Sequence, residues 1–172
     1  MYLREQTKKV KIGNNLVIGG GLPVCVQSMT KTKTRDVAAT VKQIKSLEKA
    51  GCELIRVAVP DMESARAISS IKRSAAVPIA ADVHYDYKLA IESIERGAHK
   101  IRINPGNIPK ERLREVVRAA AEAKVAIRIG VNIGSLKSAH ETSDVRKRAR
   151  TLSAAAIDYV KYFEDLNFTD IV

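Results

Sequence analysis

Arginine is costly in the middle of an apolar strand, yet this sequence puts one there three times. Arg56 lies in "LIRVAVP", Arg102 in "KIRINPG" and Arg128 in "AIRIGVN". A parallel strand covered on both faces is normally close to uniformly apolar. A guanidinium cannot shed its proton to escape burial, so each needs a carboxylate, water or a bound anion. The matching segments offer one carboxylate, Asp82 in "AADVH", with His84 two residues on. Asn104 and Asn132 follow Arg102 and Arg128, while Gln27, Ser28 and Met29 end the first apolar run. Side chains alternate with period two along a strand, so Asp82 with His84, Arg102 with Asn104, and Arg128 with Asn132 share faces. One carboxylate does not neutralise three guanidiniums. Phosphate or diphosphate fits the guanidinium fork through two-point contacts. The competing reading is an internal ion-pair layer, Arg56 on Asp82 for example, with other arginines reaching Asp61 or solvent. No nucleophile has a convincing base partner, so acyl transfer is not expected. The catalytic residue is left open, with Asp82 and His84 as candidates.

Elements that could carry these residues alternate along the chain. Apolar, β-branched runs occur at Val24–Met29, Leu54–Pro60, Val77–His84, Lys100–Pro105 and Ala126–Asn132, with a last fragment at Asp170–Val172. Helical periodicity links Val37, Val41, Ile44 and Leu47, then Leu113, Val116, Val117 and Ala120, then Leu152, Ala156, Tyr159, Phe163 and Leu166. Asp36 and Asp61 stand as N-caps, Pro109 suits a first helical position, and Gly51 and Gly97 close helices. Five β-α units with short links predict parallel strands and right-handed crossovers. Both a doubly wound sheet and a barrel satisfy that pattern. The glycine run at 19–21 precedes the first strand rather than following it, so a dinucleotide fingerprint is not supported. Polar residues late in each strand favour the α/β barrel of (β/α)8 TIM type, whose sites lie at the carboxyl ends of the strands. A full barrel runs to about 250 residues, so this chain reads as one cut short after about five and a half β/α units. The polar stretch 133–150, which contains His140, is expected to be a mobile lid or a longer loop with a helical start.

Composition narrows the class. The 172 residues are 45% hydrophobic and 28% charged, an ordinary globular balance. Lys and Arg number 30 against 19 Asp and Glu, a net charge of +11 that favours anionic partners. Aromatics are 4% and Trp is absent, which argues against a stacking platform for single-stranded nucleic acid. No apolar run approaches the length of a membrane span and no secretory h-region opens the chain. A cytoplasmic protein with neither a nucleic-acid nor a membrane partner is expected. Cys25 and Cys52 form no C-x-x-C pair and read as buried thiols, with no metal site.

Five motifs in order, "PVCVQSMT", "AGCELIRVAVPDME", "VPIAADVHYDYKLA", "KIRINPGNI" and "IRIGVNIGSL", closely resemble the 4-hydroxy-3-methylbut-2-enyl diphosphate synthase family of the non-mevalonate isoprenoid pathway. The resemblance covers residues 8–136 and returns in "YVKYFEDLNFTDIV". It implies an iron–sulfur oxidoreductase that opens the ring of 2-C-methyl-D-erythritol 2,4-cyclodiphosphate reductively, with loss of water. It further implies a homodimer in which a C-terminal domain carries a 4Fe-4S cluster, held by three cysteines and a glutamate, over the partner's barrel. Reduced ferredoxin or flavodoxin would supply electrons. Carried over by motif, Arg56, Arg102 and Arg128 would grip the diphosphate, and Asp82, His84, Asn104 and Asn132 would position the rest. Cys25 and Cys52 match none of the family's cluster ligands, so this chain is expected to bind no cofactor itself. Residues 1–172 would be the N-terminal substrate-binding barrel, inactive alone and without the iron–sulfur domain. Two other readings are kept: a pterin-binding barrel of dihydropteroate synthase type, and a non-catalytic basic module for nucleic acid.

Overall fold

Each apolar run pairs with the next, and each amphipathic stretch covers the pair. The computed structural model of the chain describes residues 3–135 and 144–172. An antiparallel hairpin comes first, β1 (Val10–Ile12) and β2 (Leu16–Ile18). Then follow β3 (Gln27–Met29), α1 (Val37–Lys49), β4 (Leu54–Ala58), α2 (Met62–Ser74), β5 (Ile79–Asp82) and α3 (Tyr87–Glu95). β6 (Lys100–Ile103), α4 (Lys110–Ala123), β7 (Ala126–Ile129) and α5 (Val145–Asp165) complete the order. Strands β3 to β7 form one parallel sheet in sequence order. Near the end of the chain Ile171 bridges to Ile127 in parallel, and the Ile127 N–H donates to the Asp170 carbonyl at 2.9 Å. This is part of a β/α barrel, as the alternating pattern predicts.

The sheet has two distinct faces, set by the period of two. Ile55, Val57, Ile79, Ala81, Ile101 and Ile127 are fully buried and pack with the helices. Phe163 of α5 joins that layer, with Tyr159 and Leu166 against it. The other face carries Leu54, Arg56, Ala80, Asp82, Lys100, Arg102, Ala126 and Arg128, whose register partners alternate in step. Its lower part is apolar: Leu54, Ala80 and Ala126 pack with Val10 and Ile12 of the hairpin. The hairpin therefore closes the amino end of this face, and the charged side chains are left towards the carboxyl end.

Several element ends depart from the sequence reading. The strands are shorter than predicted, so Val24 and Val26 precede β3 and are exposed, while His84, Asn104 and Asn132 lie in loops past β5, β6 and β7. Pro105 explains one early stop, since proline brings no N–H to a ladder; it opens a 3-10 turn, Pro105–Asn107. Pro109 occupies the N-cap of α4 rather than its first turn. α5 begins at Val145, within the stretch for which a helical start is one of the two expectations, because the Asp144 carboxylate accepts from the N–H groups of Arg146 and Lys147. A 3-10 turn spans Ile133–Ser135, and His140 lies outside the described residues. The caps agree: Asp36 accepts from the Ala39 N–H and Asp61 from the Ser64 N–H. Gly51 and Gly97 hold φ of 86° and 88°, where a side chain would be strained. Among the described residues no helix is long and apolar enough to cross a membrane.

Candidate functional site

Register builds the site. Ala58 of β4 pairs with Asp82, Asp82 with Arg102, and Arg102 with Arg128, so one row across the sheet ends in acid, base, base. Arg56 lies one row nearer the hairpin, opposite Met29 and Ala80. Asp82 is only 6% exposed. Its Oδ1 accepts from Arg102 Nη1 at 3.3 Å and stands 3.2 Å from His84 Nε2, while Oδ2 is 3.6 Å from Arg56 Nε. Arg56 Nε also donates to Met29 Sδ at 3.2 Å. Both parts of the sequence reading thus meet in one place: Arg56 does pair with Asp82, and the arginines still outnumber the acid. Among the described residues no carboxylate stands within 4.0 Å of Arg128.

Two cavities open at this end. One, of about 320 Å³, is lined by Arg56, Asp82, His84, Arg102 and Arg128 with the backbone turn at Gly130. The other, of about 630 Å³, is lined by the same Arg56, Asp82 and His84 together with Met29, Val59 and Leu89. A charged pocket therefore continues into a larger apolar one through a shared wall. His84 is half-exposed, and its loop is held by Asn107, whose Nδ2 donates to the His84 carbonyl at 3.0 Å. Gly130 makes room for Arg102: a Cβ there would stand 2.6 Å from Nη2 and 2.7 Å from Cζ.

The two asparagines do not line these cavities. Asn104 is buried, and its side chain accepts from the Gly106 N–H at 3.2 Å, capping the 3-10 turn. Asn132 is exposed just before the Ile133–Ser135 turn. Sequence reasoning missed Lys100, which is 3% exposed and donates to Gln27 Oε1 at 2.9 Å. Burial, with Arg128 beside it, pushes its ammonium down to about 8. The available signal was its position in "KIRI", two residues before Arg102 and hence on the same face.

Metal chemistry finds no footing in these residues. Among those described, no three His, Cys, Asp or Glu gather where an ion could be held. The buried Cys52 thiol donates to the carbonyls of Leu54 and Val26, and the Cys25 thiol is pushed up, by burial first and then by Glu53. The described residues do not fit an iron–sulfur cluster.

A family model, the GcpE TIM-barrel domain, matches residues 7–172. Curated relatives named 4-hydroxy-3-methylbut-2-en-1-yl diphosphate synthase (flavodoxin) include that of Thermotoga petrophila, 53% identical over 165 residues, which covers 96% of this chain and 46% of the relative. That of Halalkalibacterium halodurans is 51% identical over 170 residues, covering 98% and 46%. The chain spans about half the length of these relatives. Solved structures of similar fold include dihydropteroate synthase from Yersinia pestis, with TM-score 0.67 at 12% identity over 95% of this chain and 60% of that one. The Vibrio fischeri 7,8-dihydropteroate synthase gives 0.64 at 14% identity, over 96% and 66%. At such identities the likeness is one of fold alone.

Proposed function

This chain belongs to the GcpE TIM-barrel domain family, and from that premise we propose that it is the substrate-binding barrel of a 4-hydroxy-3-methylbut-2-en-1-yl diphosphate synthase. The carrying observation is that Arg56 and Arg102 share one carboxylate, Asp82, while Arg128 lines the same pocket with no carboxylate within 4.0 Å among the described residues. The substrate is 2-C-methyl-D-erythritol 2,4-cyclodiphosphate. Its phosphoryl oxygens take the guanidinium donors that Asp82 leaves free, and its carbon skeleton lies towards the apolar wall of Met29, Val59 and Leu89. Asp82 orients Arg56, Arg102 and His84 together, so the donors are aligned before the ligand arrives. His84, half-exposed and facing both cavities, contacts the substrate and can hold a proton there. Asn104 and Asn132 shape the loops around the mouth.

Ring opening itself belongs to the complete enzyme. The electrons would come from reduced flavodoxin, the donor in the relatives' name, or ferredoxin, through a 4Fe-4S cluster that the described residues do not hold. The complete enzyme is a cytoplasmic homodimer, and this chain alone binds without turnover. Binding of the cyclodiphosphate, measured by calorimetry at low salt, tests the reading. Arg102→Gln and Arg128→Gln each weaken it by about tenfold or more, which is about 1.4 kcal/mol, and added salt weakens it further. Absence of binding by the native chain, with steep salt-dependent binding to duplex DNA instead, would favour the basic-module alternative.

A further inference from the structure

One buried charge stands outside the anion cradle. Lys100 shares the cavity face with Arg102, one row nearer the hairpin, and lies in the same row as Arg56. Its Nζ reaches Gln27 on β3 and, among the described residues, no carboxylate lies within 4.0 Å of it. The groups facing it are few. Arg56 comes from β4, Arg128 from β7 and Cys25 from the segment before β3. Arg4 lines the adjoining cavity of about 330 Å³, its guanidinium hydrogen-bonded to the Leu22 carbonyl. Asp82 on β5 is one row away, already shared by three partners. The hairpin presents apolar Val10 and Ile12 to this face. Arg128 lines both this cavity and the charged pocket above it, so the two are electrostatically one space.

Resting on the anion-binding reading above, we propose that capture of an anion by Arg56, Arg102 and Arg128 is coupled to uptake of one proton by Lys100. The site holds Arg56, Arg102, Arg128, Lys100 and the half-exposed His84 around one carboxylate, Asp82. Arginine stays charged under all ordinary conditions, so Lys100 is the deeply buried cation among them that can give up its charge. Its hydrogen bond to Gln27 survives in either state, because a neutral amine still donates. Burial and the flanking guanidiniums bring it to about 8, so near pH 8 the free site is a mixture of both forms. A ligand of two or more negative charges one row away favours the ammonium, and the proton comes from solvent. Affinity therefore falls as pH rises beyond about 8, although every arginine remains charged.

Calorimetry of the whole chain in buffers of different ionisation enthalpy tests this, with two probes: the cyclodiphosphate and trimetaphosphate. Each phosphorus in either carries a single strongly acidic group, so neither ligand exchanges protons in the window. Uptake is expected to be a small fraction of a proton near pH 7 and to grow as the pH is raised through about 8 towards 9. Lys100→Met abolishes the uptake. Lys100→Arg abolishes it while keeping a cation, and serves where the methionine variant fails to fold. Uptake that persists in Lys100→Arg, or binding by the native chain with no uptake near pH 9, overturns the coupling. Trimetaphosphate binding with Lys100-dependent uptake but no cyclodiphosphate binding overturns the proposed substrate and leaves the coupling standing. Cyclodiphosphate binding with no uptake does the reverse, and failure of both anions to bind overturns both.

Discussion

Asp82 holds the cluster together, because Arg56, Arg102 and His84 all lean on its two oxygens. Asp82→Asn leaves Arg102, whose side chain is 15% exposed, without its acid. Removing one partner of a buried pair is strongly destabilising, so the variant loses about 3 kcal/mol in urea unfolding. Its affinity for a divalent anion changes much less than its stability, since the positive charge gained offsets the lost alignment of Arg56 and Arg102. That combination separates an anion site from a purely structural ion pair, in which both quantities would change together. Gly130→Ala has the opposite signature. The new methyl displaces the Arg102 guanidinium, weakening anion binding about tenfold with little loss of stability. The three arginines were legible because charge in an apolar run is anomalous. Lys100 was not, since a lysine at the first position of a strand looks like the solvent boundary. Only the row it shares with Arg56, and Gln27 reaching it from β3, reveal that it is inside.

The hairpin of β1 and β2 is the element that sequence patterning overlooked. Strands of three residues give too little alternation to stand out, and their partner surface is on β4, β5 and β7, far away in sequence. His99 ties this end together. Its Nδ1 accepts from the Ile79 N–H at 3.0 Å, and its ring fills the space a Gly13 side chain would need. Burial, then Lys72, pushes the imidazole below 6.5. The folded state thus holds it neutral while the unfolded chain takes a proton more readily. Its contribution is whole above pH 6.5 and is lost as the pH falls below that value towards the folded-state pKa. The stability advantage of the native chain over His99→Asn, read from urea midpoints, should shrink between about pH 7.5 and about pH 5.5. An advantage that stays constant would mean the imidazole acts by packing alone. The helix caps, by contrast, were readable because an aspartate before an amphipathic run has a local mechanism.

Seen as a whole, the sheet has unlike borders. At β7 the backbone is taken up by Asp170 and Val172, and Lys8 clasps Asp170 at 2.8 Å and Thr169 at 2.6 Å. At β3, the other end of the strand order, no further strand pairs among the described residues, and Val26 just before it is held to the start of β4 by the Glu53 carboxylate, which accepts from the Val26 N–H at 2.8 Å. Val24 and Val26 there are 74% and 55% exposed. An apolar open border is a template for pairing. Concentration-dependent association is expected in sedimentation, and Val26→Lys should reduce it without altering the far-UV spectrum. A native chain that stays monomeric as its concentration is raised would show that the twist of β3 already blunts the border. The parallel order of the strands was legible from alternation and short links. Which face would carry which charge was not, because that depends on register, and register becomes visible only once the strands are paired.

Arg102 and Arg128 are direct register partners on neighbouring strands. Two like charges held side by side sort visitors by valence before shape enters. A singly charged ion quiets one guanidinium and leaves its twin exposed to it, so chloride or acetate gains little. A molecule with two anionic groups at phosphoryl spacing quiets both at once. On the proposed reading, the pocket therefore discriminates against the abundant monovalent metabolites that would otherwise clog it.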